Sequence, residues 1–189
     1  MVAANDLAIL QDVKDWVGAT NSTDDALLAR LITAASTLVQ NYINRDIYSK
    51  TYTEKYSGSG VGLGATRLVP QNYPITAVSS LVIDTQSIPV AANAISSGYQ
   101  FDDISVMLNG YYFTKGLNNI IITYTAGFAV IPFDIAQAVI ELVGYKYRER
   151  TRIGENSKNL AGQVTSFNLA DLPATVKTTL NQYKRYTIQ

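Results

Sequence analysis

The chain has 189 residues, 47% of them hydrophobic and 16% charged, which fits one domain or one domain carrying a large insertion. Fifteen Lys and Arg balance fifteen Asp and Glu, which argues against a dedicated nucleic-acid binder. Cys and His are both absent, which removes disulfides, thiolate nucleophiles, zinc–thiolate sites, the commonest general base and the commonest transition-metal ligand.

Along the chain, the opening Met1-Val-Ala-Ala-Asn-Asp6 has neither the basic nor the apolar region of a signal peptide. No apolar run approaches the ~20 residues of a membrane helix, so synthesis in the cytosol is expected. Asn5 or Asp6 can cap a first helix with Ile9, Leu10, Val13, Trp16 and Val17 on one broad face, ended by Gly18. Ser22 and Thr23 offer N-cap oxygens to a second helix, and Asp24 and Asp25 suit its positive end. Its apolar stripe runs Leu27, Leu28, Leu31, Ile32, Ala35, Leu38, Val39, Tyr42, Ile43.

From about residue 51 the period becomes two. Tyr52, Glu54 and Tyr56 alternate with Thr51, Thr53 and Lys55. After the glycine-rich stretch Gly58 to Gly64, strands are predicted at 67–69, 78–83, 87–90, 105–108, 111–113 and 120–124. Asn109-Gly110 signals a hairpin, and Pro70, Pro74 and residues 114–119 mark other turns. A helix follows Pro132, with Ile135, Val139, Leu142 and Val143 inward and Tyr145 to Arg152 as its polar tail. Residues 153–170 read as a mobile loop, and Asp171-Leu-Pro173 opens a last helix with Val176, Leu180 and Tyr183 aligned. The expected fold is therefore α+β: N-terminal and C-terminal pairs of amphipathic helices (1–50 and 126–189) with a long antiparallel β insertion, 51–125.

Few residues suggest chemistry. A phosphate loop needs Lys-Ser/Thr at a helix N-terminus after its glycines, whereas Gly64 leads into Ala-Thr-Arg and a strand, so a loop between strands is expected. Asp102-Asp103 could serve a carboxylate hydrolase or hold a divalent cation, but neighbouring residues on a strand or turn point apart. Turn aspartates capping backbone amides fit better. The basic stretch Tyr145-Lys-Tyr-Arg-Glu-Arg-Thr-Arg152 either meets an anionic partner or complements a helix C-terminus. Residues 1–130 carry seven basic against ten acidic residues, and 131–189 eight against five. Thirteen tyrosines suit strands and interfaces alike. A β-rich adhesin or carbohydrate-binding module would share the tyrosines, but seldom begins and ends in long amphipathic helices.

Several segments, in this order, resemble the tailed-bacteriophage head–tail connector (adaptor) family. They are Asp24-Asp-Ala-Leu-Leu-Ala-Arg-Leu-Ile-Thr-Ala-Ala35 with Tyr42 and Asn44-Arg45, Ala126-Gly-Phe-Ala-Val-Ile-Pro132, and Asp134-Ile-Ala-Gln-Ala-Val-Ile-Glu-Leu-Val143. Tyr147-Arg-Glu-Arg150, Ile153-Gly-Glu-Asn-Ser157, Leu172-Pro173 and Tyr183-Lys-Arg185 complete the likeness, which covers nearly the whole chain. The resemblance implies a structural protein with no enzymatic activity and no cofactor. It implies a ring, usually dodecameric, that docks under the capsid portal, lengthens the DNA exit channel and carries the stopper or tail. It also implies a place in the virion neck. Portal or lumen contact would fall to Arg148, Arg150, Arg152 and Lys158 with the 153–168 loop, and to Tyr183, Lys184, Arg185 and Tyr186. A neck or tail-completion protein of the same region is the nearest alternative.

Overall fold

The computed structural model describes residues 5–60, 65–150 and 172–185, and the backbone of 157–160 and 163–166. The chain divides into two units, Met1–Arg45 with Val130–Gln189, and Asp46–Ala129. With the described helices in one and the two larger antiparallel sheets in the other, the fold is α+β, as the change of hydrophobic period predicts.

The first unit is built on α2, Asp25–Ile43, whose inward stripe Leu28, Ile32, Ala35, Val39 and Ile43 is fully buried. Burying each large member of that stripe contributes about 2 kcal/mol. Asn44 closes the helix in the left-handed conformation, φ 57°, which Asn tolerates better than most residues. Against α2 lies α3, Phe133–Glu149, with Ile135, Ala138, Val139, Leu142 and Val143 buried. Pro132 supplies its N-cap, where a missing N–H costs nothing. The last helix, α4 (Ala174–Asn181), turns Val176 and Leu180 inward; Tyr183 falls just beyond its end.

The first helix, α1, spans only Leu10–Val17, and Ile9 rather than Asn5 or Asp6 stands at its N-cap. The preceding residues pack on α2 instead: the Leu7 amide donates to Ser36 Oγ at 3.0 Å, and Asp6 accepts from the Thr33 hydroxyl at 3.0 Å. Gly18 ends α1 as expected. Ser22 and Thr23 do not cap α2 either. Asp24 holds that position without a side-chain cap bond, because its carboxylate takes the Tyr147 hydroxyl and faces Arg150 at 3.7 Å. The predicted loop at 153–170 contains two paired strands, Ser157–Leu160 and Gln163–Ser166, in antiparallel register.

The second unit holds a four-stranded and a three-stranded sheet, both antiparallel. In chain order its strands are β1 Lys50–Tyr56, β2 Arg67–Leu68, β3 Ile75–Ile83, β4 Gln86–Ser87, β5 Gly98–Phe101, β6 Val106–Asn109 and β7 Ile120–Ala126. The orders are β1-β7-β3-β4 and β2-β6-β5. Strand β7 alternates strictly, with Ile120, Ile122, Tyr124 and Ala126 buried, and these join Leu81, Ile83, Tyr99, Val106, Leu108 and Phe113 in one core. The opposite face of β1 and β7 is a hydroxyl ladder: Thr51 meets Thr125 at 3.3 Å and Thr53 meets Thr123 at 3.1 Å.

The Asn109-Gly110 turn does not make the predicted hairpin. Both edges of β6 are already occupied, by β2 and β5, so residues 111–113 have no free edge to join. Gly110 adopts φ 73° and the chain leaves the sheet, anchoring Phe113 through its amide on the Ala65 carbonyl at 2.7 Å. The expected strand at 87–90 is reduced to Gln86–Ser87 plus a bridge from Val90 to Tyr99. Gly127 is required where it stands. It has φ 113°, and a Cβ there would lie 2.4 Å from the Tyr48 carbonyl oxygen.

Candidate assembly surfaces

The carboxylates of the second unit hold structure together. Glu54 receives four donors on two oxygens: the Tyr56 hydroxyl, the Tyr124 hydroxyl at 2.8 Å, Asn72 Nδ2 at 3.0 Å and the Gln71 amide at 3.2 Å. Burial, then the bond to Glu54, pushes the Tyr56 and Tyr124 phenols far above the ordinary tyrosine range. Tyr52, stacked 5.8 Å from Tyr124, is raised by burial and by its bond to Asp46. This network seals the 71–72 turn onto β1 and β7, with two donors on each oxygen of Glu54.

Asp102 is a turn carboxylate, as expected. It accepts from the Ile104 amide at 2.8 Å and the Ser105 amide at 2.6 Å, which hold its carboxyl below the usual range. Asp103 contributes its backbone carbonyl to the Ile75 amide at 2.8 Å. The two do not form a paired site. Asp84 receives the Thr114 hydroxyl and Asn119 Nδ2, and these bonds lower its carboxyl. The Gly58 amide donates to Asn119 Oδ1 at 3.0 Å, so this end of the glycine run packs on the 114–119 turn; residues 61–64 lie outside the described residues. Among the described residues, no group of three acidic side chains could hold a metal ion, and no helix is long and apolar enough to cross a membrane.

The residues singled out for contact divide into two clusters of the helical unit. At the end of α3, Arg148 is exposed, while Arg150 stacks 3.6 Å over the Tyr147 ring and donates to the Tyr147 carbonyl at 2.6 Å. The Tyr147 phenol is raised, first by its bond to Asp24 and then by burial. Past α4, the Tyr183 hydroxyl donates to Asp134 at 2.8 Å, and burial, then that bond, raises its phenol. Lys184 lies 4.8 Å over the Tyr42 ring, and the Arg185 amide donates to the Ile43 carbonyl at 2.8 Å. These contacts pin the C-terminal segment to α2 and α3. Arg152 and Tyr186 lie outside the described residues, as does the Lys158 side chain.

A further surface escaped the sequence reading. Phe133, Gln137, Ile140 and Gly144 recur at helical spacing on a second stripe of α3, and α1 lies along it. Gly144 gives room for Trp16, whose ring would sit 2.8 Å from any Cβ there. Between the helices runs an open groove of about 700 Å³, lined by Asp12, Asp15, Trp16, Phe133, Asp134, Ala136, Gln137 and Ile140. Trp16 is 50% and Phe133 87% exposed, so two aromatic rings face solvent among three carboxylates. The signal was present in Phe133, which stands 200° around the helix from Ile135 and cannot share its buried face.

Solved structures share the fold. The chain resembles one from the neck of an empty gene transfer agent (GTA) particle computed with C6 symmetry, with TM-score 0.60, 18% identity, and coverage of 100% of this chain and 95% of that one. A chain from the neck of the native GTA particle computed with C12 symmetry gives TM-score 0.58 at 16% identity, covering 95% and 90%. One from the virion of the native particle gives 0.59 at 17%, covering 100% and 95%. No curated protein matches the chain. The family model described as head completion protein matches residues 6–186, nearly the entire sequence. The chain belongs to the head completion protein family.

Proposed function

We propose that this protein is a structural head–tail connector in the neck of a tailed phage or phage-like particle. Copies assemble into a ring, a dodecamer in the virion, that docks under the portal, extends the DNA exit channel and offers a platform for the stopper or tail. The single observation that carries this is the family match over 6–186. Likeness in fold to chains from necks computed with C6 and C12 symmetry supports a ring. In this reading the helical unit is the connector core and residues 46–129 are an insertion. The protein acts by contact, without catalysis or cofactor, and waits in the host cytoplasm before assembly.

The balanced charge suits a channel wall. A ring multiplies each protomer's charge, so a strongly basic lumen would retain the passing duplex through phosphate neutralisation. The exposed Arg148, with Arg150, Arg152 and Lys158, is assigned to lumen or portal contact, and the 183–186 segment to the portal. Negative-stain imaging with native mass measurement of the purified protein, alone and mixed with portal rings, tests the reading. Rings, or a monomer that closes into rings on the portal, are expected; a monomer indifferent to both would overturn it. Replacing Arg148, Arg150 and Arg152 with alanine is expected to weaken portal docking or DNA retention.

A further inference from the structure

We propose that the groove between α1 and α3 is a socket for the C-terminal end of α3 from a second copy of the chain. This rests on the ring reading above and specifies the joint that the ring would use. The lining contains Asp12, Asp15 and Asp134 with no basic residue, set around the exposed rings of Trp16 and Phe133. Carboxylates accept the N–H groups of an arginine or lysine head, and aromatic faces attract its charge and cover its stem. That combination fits a basic side chain projecting from a partner.

The same unit presents such a partner. The last turns of α3 carry Lys146, Arg148 and Arg150 against Glu149 alone. Arg150 is engaged with Asp24 and Tyr147 of its own chain, so Lys146 is the group assigned to the socket. The other basic pair, Lys184 and Arg185, belongs to the segment already laid on α2. Ala136 in the socket and Lys146 in the plug lie ten residues apart on one 17-residue helix, about 15 Å. Two unlike, complementary patches on one rigid element make a head-to-tail contact. Such contacts propagate from copy to copy and close into a ring when the rotation permits. Phe133, entering the contact centre, would be its apolar anchor.

The absence of Cys makes a direct test clean. Ala136→Cys places a thiol in the socket and Glu149→Cys one beside the plug, leaving Phe133, Trp16, Lys146 and Arg148 untouched. Thirteen residues (149 − 136) separate the two on α3, about 20 Å, too far for a disulfide within one chain. Mild oxidation of the double variant, alone and on portal rings, is expected to give a ladder of linked species beyond the dimer. The two single variants mixed should stop at the dimer. Adding Lys146→Glu should remove the ladder, with circular dichroism confirming that the helices persist. Rings that assemble without any ladder would overturn the socket and leave the ring reading standing. So would dimers linked through Ala136→Cys alone, which put groove against groove, or linkage of that thiol to a portal cysteine. Copies that never associate, alone or on portal, would overturn both.

Discussion

Glu54→Gln tests whether the tyrosine–carboxylate network holds the β unit. The four donors on Glu54 are the Tyr56 and Tyr124 hydroxyls, Asn72 Nδ2 and the Gln71 amide. An amide group replaces one oxygen by a donor of the same size, so two of the four lose their acceptor whichever way it turns. Bonds to a carboxylate contribute about 1.5–3 kcal/mol each, roughly twice those to a neutral acceptor. Even if one tyrosine hydroxyl swings round to accept from the new amide, the loss comes to about 3 kcal/mol. For a chain of this length that corresponds to a fall in Tm on the order of 6–12 °C. Urea unfolding followed by circular dichroism should show a lower midpoint at unchanged slope. A variant within about 0.5 kcal/mol of the parent would refute the reasoning, because losses that small are what ordinary surface changes give.

Other outcomes follow from the same structure. Gly127→Ala forces a side chain into φ 113° and a 2.4 Å approach to the Tyr48 carbonyl, and should cost about 3 kcal/mol or more by the same assay. At alkaline pH, Tyr52, Tyr56 and Tyr124 resist ionisation in the folded state, so their contribution is complete below pH 10.0 and is lost as pH rises towards their raised values. Tyrosinate absorbance should show a late-titrating group of phenols, and Tyr56→Phe should reduce both that group and the alkaline loss of stability. In acid the sign reverses: Asp84 and Asp102 contribute fully above pH 3.8 and lose that contribution as pH falls through their lowered values. Converting both to Asn should flatten the acid limb of the stability profile.

The helices were legible because each obeys one period and buries one stripe, as Leu28 to Ile43 and Ile135 to Val143 do. Strand β7 was legible for the same reason at period two. The failures lie where local chemistry and tertiary occupancy disagree. Asn109-Gly110 carries a hairpin signal that pairing on both sides of β6 overrides. Strand β5 is four residues long and mixes two buried with two exposed positions, so Gly98-Tyr-Gln-Phe101 gives no clean alternation. Asp6, Ser22 and Thr23 look like caps, but cap geometry depends on where the backbone turns, and here Asp6 reaches α2 instead. The α1–α3 groove was hidden because Trp16 reads as core from its spacing. Whether it is covered depends on which residues of α3 stand opposite.

The two ends of the β unit are joined inside that unit. Residue 46 begins it and residue 129 ends it, and Tyr48 bridges Phe128, with the Phe128 amide donating to the Ile47 carbonyl at 2.8 Å. Entry and exit strands then run side by side as β1 and β7 through seven registered pairs. Neighbouring strands lie about 4.8 Å apart, so eighty-four residues (129 − 46 + 1) span the gap of a tight turn. The helical unit therefore meets the same boundary condition whether the excursion is long or short. Such a segment can be lengthened, traded or trimmed in evolution as an interchangeable cassette, without resetting the register of the helices that flank it.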